Sequence, residues 1–405
     1  MNKKISLGIA IGLMALVAAV TFIITYNYSL NVFNSKVKSV SEKEGIYTKL
    51  SEMDKYVRAN YVNEINEDKL ADSIMSGYVA GLDDRYAVYY PADKYAKQTQ
   101  KESGVTVGLG FNYEKETSGY IKITGVTKGS SAENAGLLAG DVITAVNNTD
   151  VIAYENGYDE AVTLFNCDEG TKVKLHIKRT DENGVSEFFA VDVVSERTEI
   201  ISVTGRLIDN IAYIKITTFH EKTPEQFSNV LNKLIGEGAE MLIFDLRENL
   251  GGLTDSLQGT LDCILGDCDV VTAYYNSSSE VVVHTTEEEQ IRMPMAVLVN
   301  GNTASCSELF AFALRDEAGA QIVGTTTYGK GVMQKTHRLT GGAAVKITVA
   351  TLQTAQSGDY NGVGINPNFE VALPAEVDLE TITDEQQLEV DTQLIKAIEV
   401  VSTIK

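Results

Sequence analysis

The sequence predicts a mixed α/β protein in which a small antiparallel domain precedes a domain built on a parallel sheet. Short β-rich segments separated by glycines run from residue 103 to residue 195, which is typical of antiparallel strands joined by turns. Further along, the amphipathic helix of residues 223–238 precedes the apolar strand of residues 241–246. A wholly apolar strand indicates a parallel sheet covered on both faces. The chain of 405 residues is long enough for two or three domains.

The amino-terminal 26 residues predict a membrane anchor. Lys3 and Lys4 precede an uncharged run, residues 5–26, which at about 1.5 Å per residue reaches across a hydrocarbon core of about 30 Å. A cleaved signal peptide with a site near residues 17–19 is the alternative, but the apolar run continues past Ala19. We therefore expect a single-pass protein of the cell membrane, with its lysines inside and its body outside the cytoplasm.

Residues 27–102 are expected to form a polar helical segment. Leu50, Met53, Tyr56 and Val57 recur at helical spacing, and no strand alternation is visible. The segment is either a spacer between the membrane and the folded domains or a helix that binds a partner, including a second copy in a homodimer. The sequence leaves both interpretations open.

Charge and cysteine content exclude several functions. With 34 basic and 56 acidic residues the net charge is −22, which argues against nucleic-acid binding. Four scattered histidines and four cysteines form no zinc pattern, and no metal or nucleotide cofactor is expected. Cys263 and Cys268 are near enough to pair in an oxidising compartment, although free thiols fit the sequence equally well.

Ser305 is the first candidate catalytic residue. It follows the apolar run of residues 295–300 and stands where a strand leads into a helix. Because Glu308 lies three residues later, the pair also satisfies a capping box, so the serine is either a helix cap or a nucleophile. The two roles are compatible. No histidine lies near this stretch of the sequence to act as a base.

Two further motifs supply what a nucleophilic serine needs. The Gly251-Gly252 pair after an apolar strand can turn backbone amides outward, and with the Cys306 amide at the helix start it can form an oxyanion hole. Lys330 stands between two glycines at a strand end. A lysine can serve as a base when burial lowers its pKa from about 10.4 toward neutrality.

Three motifs, "DLRENLGGL", "NTASCSE" and "TTTYGKGVMQ", resemble in order and spacing those of the carboxyl-terminal processing proteases, or tail-specific proteases. These are serine peptidases with a Ser-Lys dyad and a PDZ domain. The resemblance implies a crotonase/Clp-like α/β peptidase core over residues 196–375, an inserted PDZ domain over residues 103–195 and a carboxyl-terminal helix over residues 376–405.

The resemblance also assigns roles by position. Ser305 matches the nucleophile and Lys330 the general base, whereas Gln334 matches a glutamine that hydrogen-bonds and orients the lysine. Asp316 matches an aspartate that some members need, more plausibly for structure than for proton transfer.

The segment "VGLGFNYE" resembles the carboxylate-binding loop of a PDZ domain, and "GSSAENAGLLAGDVITAVN" follows it as in this family. The loop begins at Gly108, and the amides of Leu109, Gly110 and Phe111 are expected to hold the carboxylate of a peptide that adds as a strand. The protein is thus expected to be a membrane-anchored endopeptidase acting on protein or peptide substrates with apolar carboxyl termini. The alternative is a PDZ scaffold with an inert peptidase domain, whereas an enoyl-hydratase-like enzyme would leave the PDZ segment unexplained.

Three positions depart from the family pattern. Ser131 replaces a usual proline, Cys306 replaces a usual alanine, and residues 82–86 read Leu-Asp-Asp-Arg-Tyr where the family has L-D-P-x-S. The dyad does not depend on these changes. The gating contacts that the family makes through residues 82–86 do not transfer to this chain by resemblance.

Overall fold

The computed structural model describes residues 7–181, 183–287, 290–354, 356, 358–379 and 381–404. They form two compact units, one ending at Ser73 and the other beginning at Ile74. In the first unit, helix α1 (Leu7–Asn60) contains the stretch Gly12–Ser29, which has a mean hydropathy of 1.5 and is fully exposed. Its length and composition suit a membrane span, and a signal sequence near the amino terminus has the same properties.

Three short elements follow α1: helix α2 (Glu67–Ala80), strand β1 (Val88–Tyr90) and helix α3 (Ala92–Glu102). The sequence predicted only helix in this part of the chain, so β1 is a correction. Its three residues pair antiparallel with Ala344–Lys346 of a later strand. Local periodicity could not reveal it, because a partner more than 250 residues away stabilises the strand.

The predicted antiparallel domain is confirmed. Its elements are β2 (Val105–Gly108), β3 (Phe111–Lys115), β4 (Ile121–Val126), α4 (Ser131–Asn134), β5 (Val142–Val146), β6 (Thr149–Asp150), α5 (Tyr158–Ala161), β7 (Lys172–Thr180), β8 (Ser186–Val194) and β9 (Glu196–Glu199). The main sheet has the order β3-β4-β5-β7-β8, with β6 beside β5. Within the described residues, β3 and β8 therefore each have one unpaired edge. Strands β2 and β9 pair with each other and bring the two ends of the domain together.

The second domain contains the remaining elements. They are β10 (Val203–Ile208), β11 (Ile211–Ile216), α6 (Thr223–Gly236), β12 (Met241–Asp245), α7 (Thr254–Leu261), β13 (Cys268–Tyr274), β14 (Ser279–Thr285), β15 (Met295–Val299), α8 (Cys306–Ala318), β16 (Gln321–Gly324), β17 (Val332–Arg338), β18 (Ala344–Thr354), β19 (Gly358–Asp359), β20 (Phe369–Glu370), α9 (Asp384–Val390) and α10 (Thr392–Thr403). One sheet has the order β10-β11-β12-β15-β16-β20 and is parallel from β11 onward. The other has the order β1-β18-β13-β14, with β17 and β19 on β18.

The parallel sheet is covered on both faces, as its apolar strands predicted. Along β12, Leu242 and Phe244 belong to the core cluster that includes α6 and α8, whereas Ile243 belongs to a cluster with Leu394 and Ala397 of α10. All three strand residues are fully buried. Successive side chains of a strand point to opposite faces, so a strand between two helical layers is apolar throughout.

The order of the parallel strands positions the three sequence motifs. The glycine pair follows β12, Ser305 follows β15, and Lys330 follows β16. These strands are neighbours in the sheet and run in the same direction. Loops that follow adjacent parallel strands meet at one edge, which is where such sheets place ligand sites.

A buried ionic network ties the carboxyl-terminal helices to the loop after β12. The Arg247 guanidinium, 1% exposed, donates to Asp245 at 2.6 Å and to Asp391 at 2.8 Å. Burial by itself raises the pKa of Asp245, but the charge and hydrogen bonds of Arg247 outweigh it and the pKa lies below its ordinary value. Asp391 also caps α10 by accepting from the backbone N–H groups of Gln393 and Leu394.

Candidate active site

Ser305 occupies a strained turn between β15 and α8. Its backbone has φ 59° and ψ −120°, a positive φ that residues with a side chain rarely adopt. Such strain costs on the order of 1–3 kcal/mol and persists where the surroundings enforce it, often at functional sites. The predicted capping pair is present, since the Glu308 carboxylate accepts from the Ser305 N–H at 2.9 Å.

Glu308 does more than cap the helix, and the sequence did not reveal its other contacts. Its fully buried carboxylate also accepts from the Thr327 hydroxyl at 2.5 Å, the Gly329 N–H at 2.7 Å and the Lys330 N–H at 2.8 Å. One carboxylate thus fixes the backbone of both Ser305 and Lys330. The S-x-x-E pattern indicated only the local bond, because the other donors lie on a different loop.

The glycine pair lies against the start of α8. A Cβ built on Gly251 would lie 2.8 Å from the Ala304 carbonyl oxygen, and one on Gly252 would lie 2.0 Å from the Phe219 carbonyl oxygen, so neither site has room for a side chain. The Gly251 N–H donates to Asn249 Oδ1 at 2.9 Å. Among the described residues, the Gly252 N–H has no such partner, which makes Gly252 the better candidate of the two for an oxyanion amide.

Lys330 is half-buried, and burial is the main cause that lowers its pKa below the ordinary lysine value. The positive charge of Lys346 lowers the pKa further, as does that of Arg85, whereas Cys306 and Glu308 act in the opposite direction. In the described part of the chain, no hydrogen bond joins Lys330 Nζ to Ser305 Oγ. The Nζ atom instead lies 4.9 Å from the centroid of the Tyr86 ring.

Gln334 does not contact Lys330 by a hydrogen bond within the described residues. Its Nε2 lies 3.4 Å from the Val332 carbonyl oxygen and 3.5 Å from Thr348 Oγ1, and both distances are long for hydrogen bonds. The glutamine shares a pocket with the lysine, but the expected orienting bond is not formed in this state.

The predicted catalytic residues line a single pocket of about 590 Å³, namely Ser305, Lys330, Gln334, Gly251, Gly252 and Cys306. Apolar side chains complete the lining, namely Phe219, Leu250, Leu253, Leu309, Val332, Met333 and Leu352. The pocket therefore combines a candidate nucleophile and a candidate base with walls that suit an apolar peptide side chain.

His220 also lines this pocket, although no histidine lies near Ser305 in sequence. Its Nδ1 accepts from the Lys222 N–H at 3.1 Å, and its Nε2 lies 3.0 Å from the Ile200 carbonyl oxygen, to which it donates. Burial lowers the pKa of His220, which favours the neutral ring. With both nitrogens bonded to the backbone, the histidine is not free to act as a base.

Asp316 lies far from the nucleophile. It stands near the carboxyl-terminal end of α8, eleven residues after Ser305, which corresponds to about 16 Å along a helix. Arg315 Nε donates to it at 2.9 Å. The structure therefore places this aspartate outside the pocket.

All four cysteines are free thiols. Cys263 Sγ donates to the Gly259 carbonyl oxygen at 3.4 Å, and Cys268 Sγ lies 3.1 Å from Thr285 Oγ1. The pairing of Cys263 with Cys268, which the sequence left open, is not formed.

The carboxylate-binding loop predicted in the antiparallel domain lines a second pocket, of about 210 Å³. Its Gly108, Leu109, Gly110 and Phe111 all contribute to the lining. Gly110 has φ 86°, and a Cβ there would lie 2.2 Å from the Ser130 Cβ, so the loop requires glycine at this position. Loop and pocket lie beside β3, one of the two strands at the edges of this sheet.

Comparison with known proteins is consistent with this geometry. The profile of peptidase family S41 matches residues 210–371, and that of a PDZ domain matches residues 122–179. The chain is 31% identical over 376 residues to the carboxy-terminal processing protease CtpA of Bacillus subtilis, covering 92% of this chain and 78% of that protein. It is 28% identical to a probable CtpA-like serine protease of Staphylococcus haemolyticus, covering 85% and 69%.

Among solved structures, a putative S41 protease from Bacteroides fragilis aligns with a TM-score of 0.50 and 16% identity, covering 85% of this chain and 92% of that one. A photosystem II D1 C-terminal processing protease aligns over 82% and 89%, with a TM-score of 0.46 and 24% identity. Fold and site together define a serine-type peptidase that carries a PDZ domain. The chain belongs to peptidase family S41, as a carboxyl-terminal processing protease, and the resemblance noted in its motifs is confirmed.

Proposed function

We propose that the protein is a membrane-anchored endopeptidase that uses a Ser305-Lys330 dyad and binds the carboxyl-terminal tails of its substrates through its PDZ domain. The observation that carries the proposal is the shared pocket. It combines a serine at a strained helix start, the glycine pair beside that helix start and a lysine whose pKa is lowered by burial.

In the proposed reaction, neutral Lys330 Nζ takes the proton of Ser305 Oγ as the oxygen attacks the scissile carbonyl carbon. The amides of Gly252 and Cys306 donate to the oxyanion, and the position of Cys306 at the start of α8 adds the helix dipole. When the C–N bond breaks, protonated Lys330 returns the proton to the leaving amine. Water then hydrolyses the acyl-enzyme by the same steps in reverse order.

Lys330 is the favoured base because it lines the pocket and because the histidine in the same pocket is already hydrogen-bonded. His220 lines the pocket, but both its ring nitrogens are bonded to backbone groups. Lys330 has no competing hydrogen bond from Nζ within the described residues, and its backbone is fixed by Glu308. Gln334 is close enough in the pocket to orient the lysine after a small rearrangement, which is the role that the family motif suggests.

Tail recognition is supported by the free edge of β3 and by the pocket next to it. A peptide can add to this edge as a further strand, with its carboxylate at the amides of Leu109 and Gly110. Phe111 and Phe165 line the pocket with ring centroids 5.3 Å apart, so the last side chain of the peptide would contact aromatic surface. Apolar termini are therefore the preferred ligands.

We expect a peptide with an apolar free carboxyl terminus to bind at least about tenfold more tightly than its amide, which corresponds to about 1.4 kcal/mol. Amidation removes the charge that the loop amides face. Fluorescence anisotropy of labelled acid and amide peptides with the full-length chain in detergent measures binding. Mass spectrometry of the products measures cleavage, which should show the same preference. Equal binding of the acid and amide peptides would contradict tail recognition by the PDZ domain, whereas the proposal of a Ser-Lys dyad would not be affected.

For membrane anchoring, support comes from the apolar stretch Gly12–Ser29 of α1. We expect the full chain to stay in the membrane fraction after alkaline carbonate washing, because a spanning helix is not removed by disrupting ionic contacts. Immunoblotting of the pellet and supernatant measures this. A soluble product that begins near residue 20 would instead identify a cleaved signal peptide.

A further inference from the structure

The side chain of the candidate base rests on an aromatic ring. Lys330 Nζ lies 4.9 Å from the centroid of the Tyr86 ring, within the range of a cation–π contact. No hydrogen bond to Ser305 Oγ is present among the residues that the structure describes. Tyr86 belongs to the stretch that departs from the family pattern, so no role was assigned to it from the motifs.

Several attachments hold the Tyr86 ring in place. Arg85 Cζ lies 4.6 Å from the same ring centroid, and Arg85 Nη2 donates to the Tyr86 hydroxyl. Asp84 Oδ1 accepts from the Tyr86 N–H at 2.9 Å, and its Oδ2 accepts from the Thr348 N–H of β18 at 3.1 Å. The Tyr86 backbone is therefore tied through Asp84 to β18, in the sheet that also carries β17, the strand directly after Lys330, and Arg85 covers and hydrogen-bonds the side chain.

We propose that the Tyr86 ring is a positioning element that holds the Lys330 ammonium away from Ser305 in the substrate-free enzyme. The inference rests on the Ser-Lys dyad proposed above. A cation–π contact binds only the protonated lysine, so the ring stabilises the form and the position that cannot deprotonate Ser305. Lys330 also lines the substrate pocket, and its side chain can leave the ring without movement of its fixed backbone.

The charges around Lys330 do not by themselves hold it at the ring. Arg85 and Lys346 repel the ammonium, whereas Glu308 and Cys306, on the α8 side, favour it. The contact with the ring opposes the movement toward Ser305 that catalysis needs, and removing the ring should release the base.

Labelling of Ser305 by a fluorophosphonate tests this in full-length protein in detergent, without any peptide. In this reaction the Oγ–P bond forms, the P–F bond breaks, fluoride leaves and Lys330 accepts the serine proton. Tyr86→Leu is expected to label about three to thirty times faster than wild type, the range that a cation–π contact spans. Tyr86→Phe keeps the ring and is expected to label slowly, like wild type. A role in folding alone would not produce a gain in rate.

Tyr95→Leu is the matched control. It removes a pair of the same type, with Arg338 Cζ 5.8 Å from the Tyr95 ring, at a position that does not line the pocket. Its labelling rate should equal that of wild type. If Tyr86→Leu lowers the melting temperature, a trifluorinated phenylalanine at position 86 keeps the shape of the ring and weakens its attraction for cations, and it should label faster than Tyr86→Phe.

Equal or slower labelling of both the leucine and the fluorinated variants would overturn the inference, because the ring would then not restrain the base. The Ser305→Ala protein, which must not be labelled, identifies the reacting serine. If neither wild type nor Tyr86→Leu labels at any pH, the dyad is at fault; if wild type labels and the ring variants match it, only the restraint by Tyr86 is wrong.

Discussion

Ser305→Ala is expected to lower kcat/KM for a peptide substrate by at least about a thousandfold while the protein stays folded. Alanine removes the attacking oxygen and leaves the strained backbone and the Glu308 bond to the residue 305 N–H in place. The loss of a serine at a helix start costs about 1 kcal/mol at most. Product formation followed by mass spectrometry, with urea unfolding as the check on stability, measures both effects.

Ser307→Ala is the control for this substitution. Ser307 lies two residues further along α8, is fully buried and, in the part of the chain that the structure describes, has no hydrogen-bond partner for its hydroxyl. Removing an unpaired hydroxyl should be close to neutral. If Ser305→Ala cleaves the peptide at the wild-type rate and gives the same product termini, the dyad is refuted. If Ser305→Ala loses peptide binding as well as cleavage, the variant is misfolded. Cleavage by the wild-type protein would also exclude the alternative of a PDZ scaffold with an inert peptidase domain.

Lys330→Arg should be as inactive as Lys330→Ala, at least about a hundredfold below wild type, since arginine keeps the charge and cannot release its proton. The neutral lysine is the active form, so wild-type activity should rise with pH through the pKa of Lys330. Burial and the charges of Lys346 and Arg85 put that pKa below the ordinary lysine value, so the midpoint of the rise should lie below the pH at which a free lysine titrates.

The pH profile of kcat/KM is the measurement for Lys330. Lys335→Arg provides a control, because Lys335 is an exposed lysine on β17, five residues from the base. It should retain wild-type rates and the same profile. A flat profile from acid to alkaline pH, or an active arginine variant at position 330, would mean that another group accepts the serine proton.

The sequence predicted the parts of the site that depend on local backbone. Ser305, Gly252 and Lys330 each lie in the loop that follows an apolar strand, and the neighbouring positions of those strands in the parallel sheet bring the three loops together. A turn that needs glycine, or a serine before a helix, can be recognised from a few adjacent residues. The loop at Gly110 was predicted from its resemblance to a PDZ carboxylate-binding loop, and the positive φ of that glycine is also a property of the local backbone.

Contacts between distant parts of the chain could not be predicted in this way. The Tyr86 ring contacts Lys330, although residue 86 lies 244 positions before residue 330 in the sequence. Neither segment contains a pattern that predicts contact with the other. His220 is in the pocket although no motif includes it. Strand β1 exists only through its pairing with β18. In each case a tertiary contact determines where the residue or strand lies, and local sequence propensity does not reveal that contact.

The buried network around Arg247 has a consequence for the timing of activity. Its partner Asp391 lies 144 residues later in the chain, at the start of α10. During synthesis, the loop after β12 is made well before Asp391, whose carboxylate completes the ionic network that holds this loop. We therefore expect an oxyanion amide at Gly252 to reach its final position only after helices α9 and α10 have been made and have docked. Peptidase activity is then expected only once synthesis has passed Asp391.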